Sequence, residues 1–182
     1  MEVIRTEISD VIVFKPKLYP DDRGEFSELF TDKYYDYIPR EYSFVQDNYS
    51  FSNQNVLRGL HYQINQPQGK LITCFKGTIL DVAVDLRKKS KTFGKWVSVW
   101  LDGGNKDQIW IPPGFAHGFY TQVGSATILY KNTDYYSPGN ERTLLWNDPT
   151  INIVWNEYAI YPNLSSKDSK GKLLEELEVF DF

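Results

Sequence analysis

Cysteine and histidine are scarce in this chain, and both shortages limit the chemistry it can perform. Cys74 is the single cysteine among 182 residues, so an intrachain disulfide is excluded and a reducing compartment is expected. The two histidines, His61 and His117, are too few nitrogen ligands for a typical zinc or iron site. We therefore expect no bound metal.

Long apolar runs and a basic excess are missing as well. No stretch approaches the ~18 apolar residues that a membrane span requires, and the opening MEVIRTEISDVIVFKPK has neither an apolar signal segment nor a small-residue cleavage site. The formal net charge of -4 argues against a nucleic-acid partner, because phosphate neutralisation requires a basic surface. We expect a cytoplasmic protein that binds neither membranes nor nucleic acids.

Short apolar and aromatic runs, separated by turn residues, are abundant. Clusters of glycine, proline and asparagine, for example at 102–105 and 137–140, mark the turns. This spacing predicts an all-β sandwich, jelly roll or barrel. The predicted strands cover residues 11–14, 44–49, 56–62, 71–75, 79–84, 96–101, 109–111, 118–121 and 126–130. Short helices are predicted at 31–38, capped by Thr31 or Asp32, and at 172–177. The length and even composition predict one domain over residues 1–182.

Both histidines lie beside glycine in aromatic-flanked predicted strands, within GLHY and FAHGF. Residue type alone favours a hydrogen-bonded core histidine over a catalytic one. A regular strand would point Arg58 and His61 to opposite faces, whereas a bulge at Gly59 would bring them together. IPPGFAH matches the Pro-x-Gly-x-x-His half of the cupin pattern, but Gln63 stands where a metal-binding cupin carries a second histidine. The pattern favours a metal-free imidazole.

Residue type alone does not indicate a function for the other candidate residues. Arginine suits bidentate phosphate recognition and lysine serves as a compact charge, but a solvated surface charge is the commoner fate of residues such as Arg23, Arg58 or Lys70. Tyr130 is one of 13 tyrosines. Asp168 is an ordinary loop carboxylate unless its loop folds back onto the barrel.

Several longer motifs, in order along the chain, carry a resemblance to a known family. They are DxRGxFxE from residue 21, QDN at 46–48, VLRGLHYQ at 56–63, DVAVDLR at 81–87, IPPGFAHGF at 111–119, YK at 130–131, YY at 135–136, WNDP at 146–149 and LSSKD at 164–168. Together they resemble the dTDP-4-dehydrorhamnose 3,5-epimerase family over nearly the whole chain after about residue 11. Asn55, where glycine is common, and Lys91, within a usual Ser-Pro-Thr-Phe-Gly, are departures confined to predicted loops.

The resemblance implies a cupin jelly roll with short peripheral helices, and a homodimer with exchanged N-terminal strands. It implies an isomerase without metal or other cofactor. The substrate would be a dTDP-4-keto-6-deoxyhexose, namely dTDP-4-dehydro-6-deoxy-D-glucose. Epimerisation at C3 and C5 would give dTDP-4-dehydro-L-rhamnose in dTDP-rhamnose type biosynthesis.

The same resemblance assigns roles to individual residues. His61 would be the general base, Asp168 its orienting partner, Tyr130 the general acid on the opposite sugar face, and Lys70 the cation beside the C4 oxygen. Arg58 would contact the diphosphate, and Arg23 and its neighbours would come from the partner subunit. The full set of implied substrate-binding residues is Arg23, Phe26, Glu28, Gln46, Asp47, Asn48, Arg58, His117, Tyr136, Glu141 and Lys167.

Three alternatives stay open at this point. A sibling enzyme could invert only C3 or only C5, or isomerise the keto group, with the same acid and base. A metal-dependent cupin oxygenase is disfavoured by Gln63 and the shortage of histidine. A non-catalytic sugar-nucleotide binding module would be expected to lose part of the set formed by His61, Lys70 and Tyr130, and all three are present.

Overall fold

The computed structural model describes residues 1–155 and 161–182, and two antiparallel β-sheets dominate this part of the chain. The six-stranded sheet has the order β1 (Glu2–Arg5), β2 (Ile12–Lys15), β10 (Gln108–Ile111), β7 (Lys70–Lys76), β12 (Ala126–Asn132), β5 (Gln46–Ser52). The five-stranded sheet has the order β13 (Glu141–Thr143), β6 (Leu57–Gln63), β11 (Phe115–Thr121), β8 (Thr78–Asp85), β9 (Trp96–Asp102). A separate hairpin consists of β3 (Leu18–Asp21) and β4 (Gly24–Ser27). The prediction of an all-β jelly roll is confirmed.

Each of the nine predicted strands overlaps an observed one, and the differences lie in short elements. The strands β1, β3, β4 and β13 have three or four residues and few buried side chains, so they lack the apolar alternation that marks a strand in a sequence. The helix predicted at 31–38 is a 3-10 helix at Asp32–Asp36, and Thr31 precedes it without a side-chain capping bond. The helix predicted at 172–177 is a 3-10 turn at Leu174–Glu176.

Two further 3-10 turns lie at Pro138–Asn140 and Asp168–Lys170. Within residues 1–155 and 161–182, none of the helices is long and apolar enough to cross a membrane.

The main core lies between the two sheets. Ile72 and Ile128 of the six-stranded sheet are fully buried against Ala83 and Phe119 of the five-stranded sheet. Core residues that share a strand are an even number of positions apart, for example Ile72 and Cys74 on β7 or Phe115 and Phe119 on β11, so each sheet turns one apolar face inward. Towards one end of the sandwich, polar side chains replace the apolar ones on the same inner faces, and a cavity forms there.

An extra residue in β6 shapes this end of the five-stranded sheet. His61 pairs with His117 and Arg58 pairs with Phe119, so three steps along β6 match two along β11. Gly59 has a φ of 111°, and a Cβ atom there would lie 2.6 Å from the Cα atom of Gly118, so the close approach requires glycine. The bulge predicted at Gly59 is confirmed, and Arg58 and His61 both face the cavity.

The C-terminal part of the chain covers the outer face of the five-stranded sheet. Leu144, Trp155 and Phe180 are buried there in one apolar cluster. Two isolated bridges, Val56 with Asn163 and Leu144 with Lys172, hold both ends of the segment 163–172 against the barrel. This segment brings Asp168 back to the side chain of His61 on β6.

Candidate active site

A cavity of about 500 Å³ opens between the two sheets, and each sheet supplies a different part of its lining. The five-stranded sheet contributes Arg58, His61, His117 and Glu141. The six-stranded sheet contributes Asn48, Ser50, Lys70, Tyr130 and Asn132. The segment at 165–168 contributes Ser165, Lys167 and Asp168. Side chains from opposite walls can therefore contact opposite faces of one ligand.

His61 and Asp168 form a hydrogen-bonded pair, 107 residues apart in the sequence. The His61 Nε2 atom lies 2.5 Å from Asp168 Oδ1, and the Ser165 hydroxyl donates a 2.8 Å bond to Asp168 Oδ2. Burial raises the pKa of Asp168, but the bonds from His61 and Ser165 outweigh it and hold this pKa below its ordinary value. The carboxylate is therefore charged and binds Nε2, so Nδ1 is the ring nitrogen of His61 without a hydrogen bond to another described residue.

Tyr130 lies on the wall opposite His61. Its hydroxyl is 3.0 Å from the Ser50 hydroxyl, and its ring meets the His117 ring edge-on with centroids 6.1 Å apart. Burial raises the pKa of Tyr130 well above its ordinary value, although the bond to Ser50 opposes this shift. The phenol is protonated at neutral pH and can act as an acid.

Lys70 brings a cation between these two walls. Its ammonium donates a 3.3 Å bond to the carbonyl oxygen of His61. Burial lowers the pKa of Lys70 to about 8, while the charge of Asp81 opposes the shift. The lysine is thus a charged group that desolvation has made a weaker base.

A second pair of histidine and aspartate joins His117 of the cavity lining to Asp81 behind it. The Nε2 atom of His117 is 2.8 Å from Asp81 Oδ2, and both side chains are almost completely buried. Burial lowers the pKa of His117 and raises that of Asp81. The predicted position of His117 in the cavity lining is found, and the imidazole is neutral there.

Three predicted binding residues form a polar cluster at the mouth of the cavity. Glu141 accepts hydrogen bonds from the Tyr136 hydroxyl at 3.2 Å and from the Lys167 ammonium at 2.9 Å. On the opposite side, Arg58 donates to the Ser52 hydroxyl at 2.9 Å and to the Phe51 carbonyl at 3.1 Å. These bonds orient charged groups of both signs around the opening.

Not all of the predicted residues meet in this cavity. Asn48 is the residue of the QDN motif that lines the cavity. Gln46 accepts a bond from the backbone amide of Tyr136 and donates to the side chain of Asn48. Asp47 forms an ion pair with Lys131 at 2.9 Å. Arg23 and Phe26 lie on the β3–β4 hairpin, where the Arg23 side chain is 89% exposed and Phe26 is 66% exposed. Glu28 lines a separate small cavity beside Tyr34. Within one chain, the hairpin residues do not reach His61.

Gln63 lines the cavity with His61, as the strand alternation predicts. Its side-chain amide, however, forms hydrogen bonds to three backbone groups. Its Nε2 donates to the carbonyls of Gln66 and Tyr135 at 2.7 and 3.1 Å, and its Oε1 accepts a 2.8 Å bond from the amide of Ser137. Among the described residues, no group of three or more histidine, cysteine, aspartate or glutamate side chains is placed to hold a metal ion.

Sequence reasoning missed several lining or supporting residues, among them the polar residues Ser50, Gln68, Asp81, Asn132 and Ser165. Two of them follow cavity residues at alternate positions, Ser50 after Asn48 and Asn132 after Tyr130, so the strand period offered a signal. Asp81 and Ser165 lie within recognised motifs, but their pairing with His117 and Asp168 depends on contacts between distant segments.

Comparisons with known proteins agree with this geometry. The family model of dTDP-4-dehydrorhamnose 3,5-epimerase matches residues 5–176. The chain is 50% identical to the dTDP-4-dehydrorhamnose 3,5-epimerase of Salmonella typhimurium over 97% of both chains. The structure of the Legionella pneumophila dTDP-6-deoxy-D-glucose-3,5-epimerase in complex with dTDP-4-keto-L-rhamnose superposes with a TM-score of 0.93 at 45% identity, covering 100% of this chain and 98% of that one.

A 3'-monoepimerase from Streptomyces bikiniensis, solved with dTDP-quinovose, shares the fold with a TM-score of 0.88 at 29% identity over 94% of this chain and 87% of that one. The fold therefore accommodates both single and double epimerases. The family match over nearly the whole chain and the identity of 50% decide the family: the chain belongs to the dTDP-4-dehydrorhamnose 3,5-epimerase family.

Proposed function

We propose that this protein is an isomerase that inverts C3 and C5 of dTDP-4-dehydro-6-deoxy-D-glucose. The product is dTDP-4-dehydro-L-rhamnose, and the pathway is dTDP-rhamnose biosynthesis. The observation that carries the proposal is the placement of the His61–Asp168 pair and Tyr130 on opposite walls of one cavity, in a chain of this family.

The chemistry needs a base, because the C4 ketone of the sugar acidifies the hydrogens on C3 and C5. Nδ1 of His61 takes the proton as the C–H bond breaks, and the bonding electrons form an enolate whose charge lies on the C4 oxygen. Asp168, charged and bound to Nε2, fixes the tautomer and stabilises the imidazolium that results. General base catalysis of this kind contributes about 10²- to 10⁴-fold to the rate.

Inversion needs a proton from the other face of the ring. The Tyr130 hydroxyl donates it to the carbon, and the enolate electrons form the new C–H bond. The phenolate then takes a proton from solvent, and the His61 imidazolium releases the abstracted proton to solvent, so both groups are restored for the second carbon. Lys70 stabilises the enolate oxygen, since its ammonium lies between the two walls. The same three groups serve C3 and C5 in turn if the ring reorients between the steps.

The nucleotide part binds through the remaining polar groups. Arg58 contacts the diphosphate, a role that suits a guanidinium held by two hydrogen bonds. His117, Asn48 and the cluster of Tyr136, Glu141 and Lys167 contact the substrate inside and around the opening. Gln46 and Asp47 support this side of the site.

We also propose a homodimer in which N-terminal strands are exchanged, so that Arg23, Phe26 and Glu28 complete the site of the partner. The β3–β4 hairpin supports this, since a two-stranded hairpin alone is marginally stable and it exposes Phe26 together with Tyr19, 47% exposed. Such an aromatic pair is suited to stacking on a nucleobase or packing in an interface.

Mixed dimers test the exchange directly. Neither His61→Ala nor Arg23→Ala homodimers should turn over at the wild-type rate, whereas co-expressed chains should form heterodimers with one intact site. A mixture of His61→Ala and Asp168→Asn provides the control. His61 and Asp168 of one site come from the same chain, so each site of the mixed dimer still contains one altered residue and no recovery is expected. Equal recovery in both mixtures, or a monomer by light scattering, would contradict the proposal.

The proposal includes one catalytic domain over residues 1–182, a cytoplasmic location and catalysis without a metal or other cofactor. Gln63 supports the last point, because its side chain is occupied by three backbone groups where a metal ligand would be needed.

Incubation with dTDP-4-keto-6-deoxyglucose in heavy water tests the function. Deuterium should enter at both C3 and C5, and NMR should show the L-rhamno product; His61→Ala should abolish both. Deuterium at one carbon alone would identify a C3-only or C5-only epimerase, the second candidate, whose chemistry fits the same residues. The higher identity to the double epimerase than to the 3'-monoepimerase, 50% against 29%, favours double inversion.

A further inference from the structure

The Tyr130 hydroxyl has one hydrogen-bond partner among the described residues, the hydroxyl of Ser50. The two oxygen atoms lie 3.0 Å apart, and either group can be the donor. Ser50 lines the cavity, and its side chain makes no other hydrogen bond within the part of the chain that the structure describes. A serine hydroxyl rotates about its C–O bond, so Ser50 can donate to the Tyr130 oxygen whenever the phenol proton points into the cavity.

The register of β5 and β12 produces this contact. Tyr130 pairs directly with Asn48, and Ser50 pairs with Ile128. Ser50 and Tyr130 are therefore diagonal neighbours on adjacent strands, a separation that a long aromatic side chain spans. Asn48 and Ser50 line the cavity at alternate positions of β5, as the period of a strand requires. The sheet thus holds the Ser50 hydroxyl beside Tyr130 before any substrate binds.

The acid step places a negative charge on the Tyr130 oxygen. Burial is the largest influence that raises the pKa of Tyr130, and the bond to Ser50 is the largest that lowers it. A buried phenolate without a hydrogen-bond donor is costly, and a phenol that forms such an anion transfers its proton slowly. Efficient inversion therefore requires a donor that is in place when the phenol proton leaves.

We propose that Ser50 is a positioning residue for the general acid, and that its O–H donates a hydrogen bond to the Tyr130 phenolate as this anion forms. The inference rests on the proposed epimerase function. The O–H bond of Tyr130 breaks, its proton forms the new C–H bond with the enolate electrons, and the Ser50 proton stays on Oγ. The bond from Ser50 strengthens in this step because its acceptor becomes charged. The acid then has a fixed partner, as the base has one in Asp168.

The enolate has two fates, and Ser50 acts on one of them. His61 can return a proton to the face from which it took one, which restores the starting configuration. Tyr130 can instead protonate the opposite face, which inverts the carbon. In heavy water the first fate brings deuterium into the substrate without inversion, because the proton on His61 exchanges with solvent. The ratio of deuterium exchange to inversion therefore measures how well Tyr130 works as an acid.

The test is Ser50→Ala with dTDP-4-keto-6-deoxyglucose in heavy water, with exchange into the remaining substrate and inversion followed together by NMR. We expect inversion to slow about 10- to 100-fold, the value of one hydrogen bond to a charged group, while exchange changes by less than about threefold. Ser50→Thr keeps the hydroxyl and should return the ratio to within about threefold of wild type. In a Tyr130→Phe background, Ser50→Ala should have no further effect, because the phenolate no longer forms.

Ser52→Ala is the matched control, since Ser52 lies on the same face of β5 but its hydroxyl accepts a bond from Arg58. It should leave the ratio of exchange to inversion at the wild-type value, whatever its effect on KM. Equal slowing of exchange and inversion in Ser50→Ala, an unchanged ratio, or a Ser50→Thr ratio as altered as that of Ser50→Ala would overturn the inference. If wild-type protein incorporates no deuterium, the proposed function itself fails; if it inverts both carbons and Ser50→Ala matches it, only the Ser50 inference fails.

Discussion

The lowered pKa of Lys70 predicts where the reaction loses activity at alkaline pH. In the proposed mechanism its ammonium must be charged to stabilise the enolate, and burial lowers its pKa to about 8. At pH 7 about nine-tenths of the lysines are protonated, at pH 8 about half, and at pH 9 about one-tenth. We therefore expect kcat/KM to decline about fivefold between pH 8 and pH 9, and to approach a tenfold loss per pH unit above that.

Tyr130, the proposed general acid, does not titrate in the same pH range as Lys70. Burial raises the pKa of Tyr130 well above its ordinary value, so its phenol stays protonated across the range in which Lys70 titrates. kcat/KM reports the free enzyme and kcat the substrate complex. The negative charge of the bound diphosphate and of the enolate should therefore move the alkaline limb of kcat to higher pH than that of kcat/KM.

Initial rates of deuterium exchange from pH 6 to 10 would measure the limb. Lys70→Arg should remove the decline near pH 8, because a guanidinium stays charged, although its shape should lower the plateau. Lys70→Met should retain a folded protein with a flat, low profile, and its melting temperature gives the control for structure. A limb near pH 10 in the wild type, or an unchanged limb in Lys70→Arg, would refute the reasoning.

Three further predictions concern the remaining groups. Tyr130→Phe should keep deuterium exchange at the ring carbons but lose net epimerisation, because the base acts while the acid on the other face is missing; loss of both by NMR would contradict the assignment. Asp168→Asn should lower kcat by about 10²- to 10⁴-fold with an intact fold, since the imidazolium loses its counter-charge, and a rate within threefold of wild type would exclude this role. Chelator followed by dialysis should leave kcat unchanged, and activity restored only by added iron would revive a metal-dependent mechanism.

The strand pattern of this protein could be predicted because each buried strand carries its own local signal. Runs such as Ile79–Val84 are apolar except at Asp81, and turn residues separate them. The bulge at Gly59 could also be predicted, since a glycine between two candidate residues of opposite orientation is a local feature. The short edge strand β13 could not, because its three residues are polar and half-buried.

The site could be predicted only where a motif identified it. No local pattern links His61 with Asp168, since the bond between them depends on how the segment 163–172 returns to the barrel. Here the family resemblance supplied the expectation, and the pair is found. Asn132 lies outside every recognised motif. Its closeness to Lys70 follows from the register of β7 and β12, which cannot be deduced from the sequence.

The three backbone bonds of Gln63 have a consequence for metal binding by this barrel. A histidine at this position would add a second imidazole beside His61, but it would release the carbonyl of Tyr135 and the amide of Ser137, which flank Tyr136. The loss of these bonds would loosen the backbone that holds the Tyr136 hydroxyl beside Glu141. One side chain cannot serve both purposes, so Gln63 fixes this segment in place of offering a metal ligand.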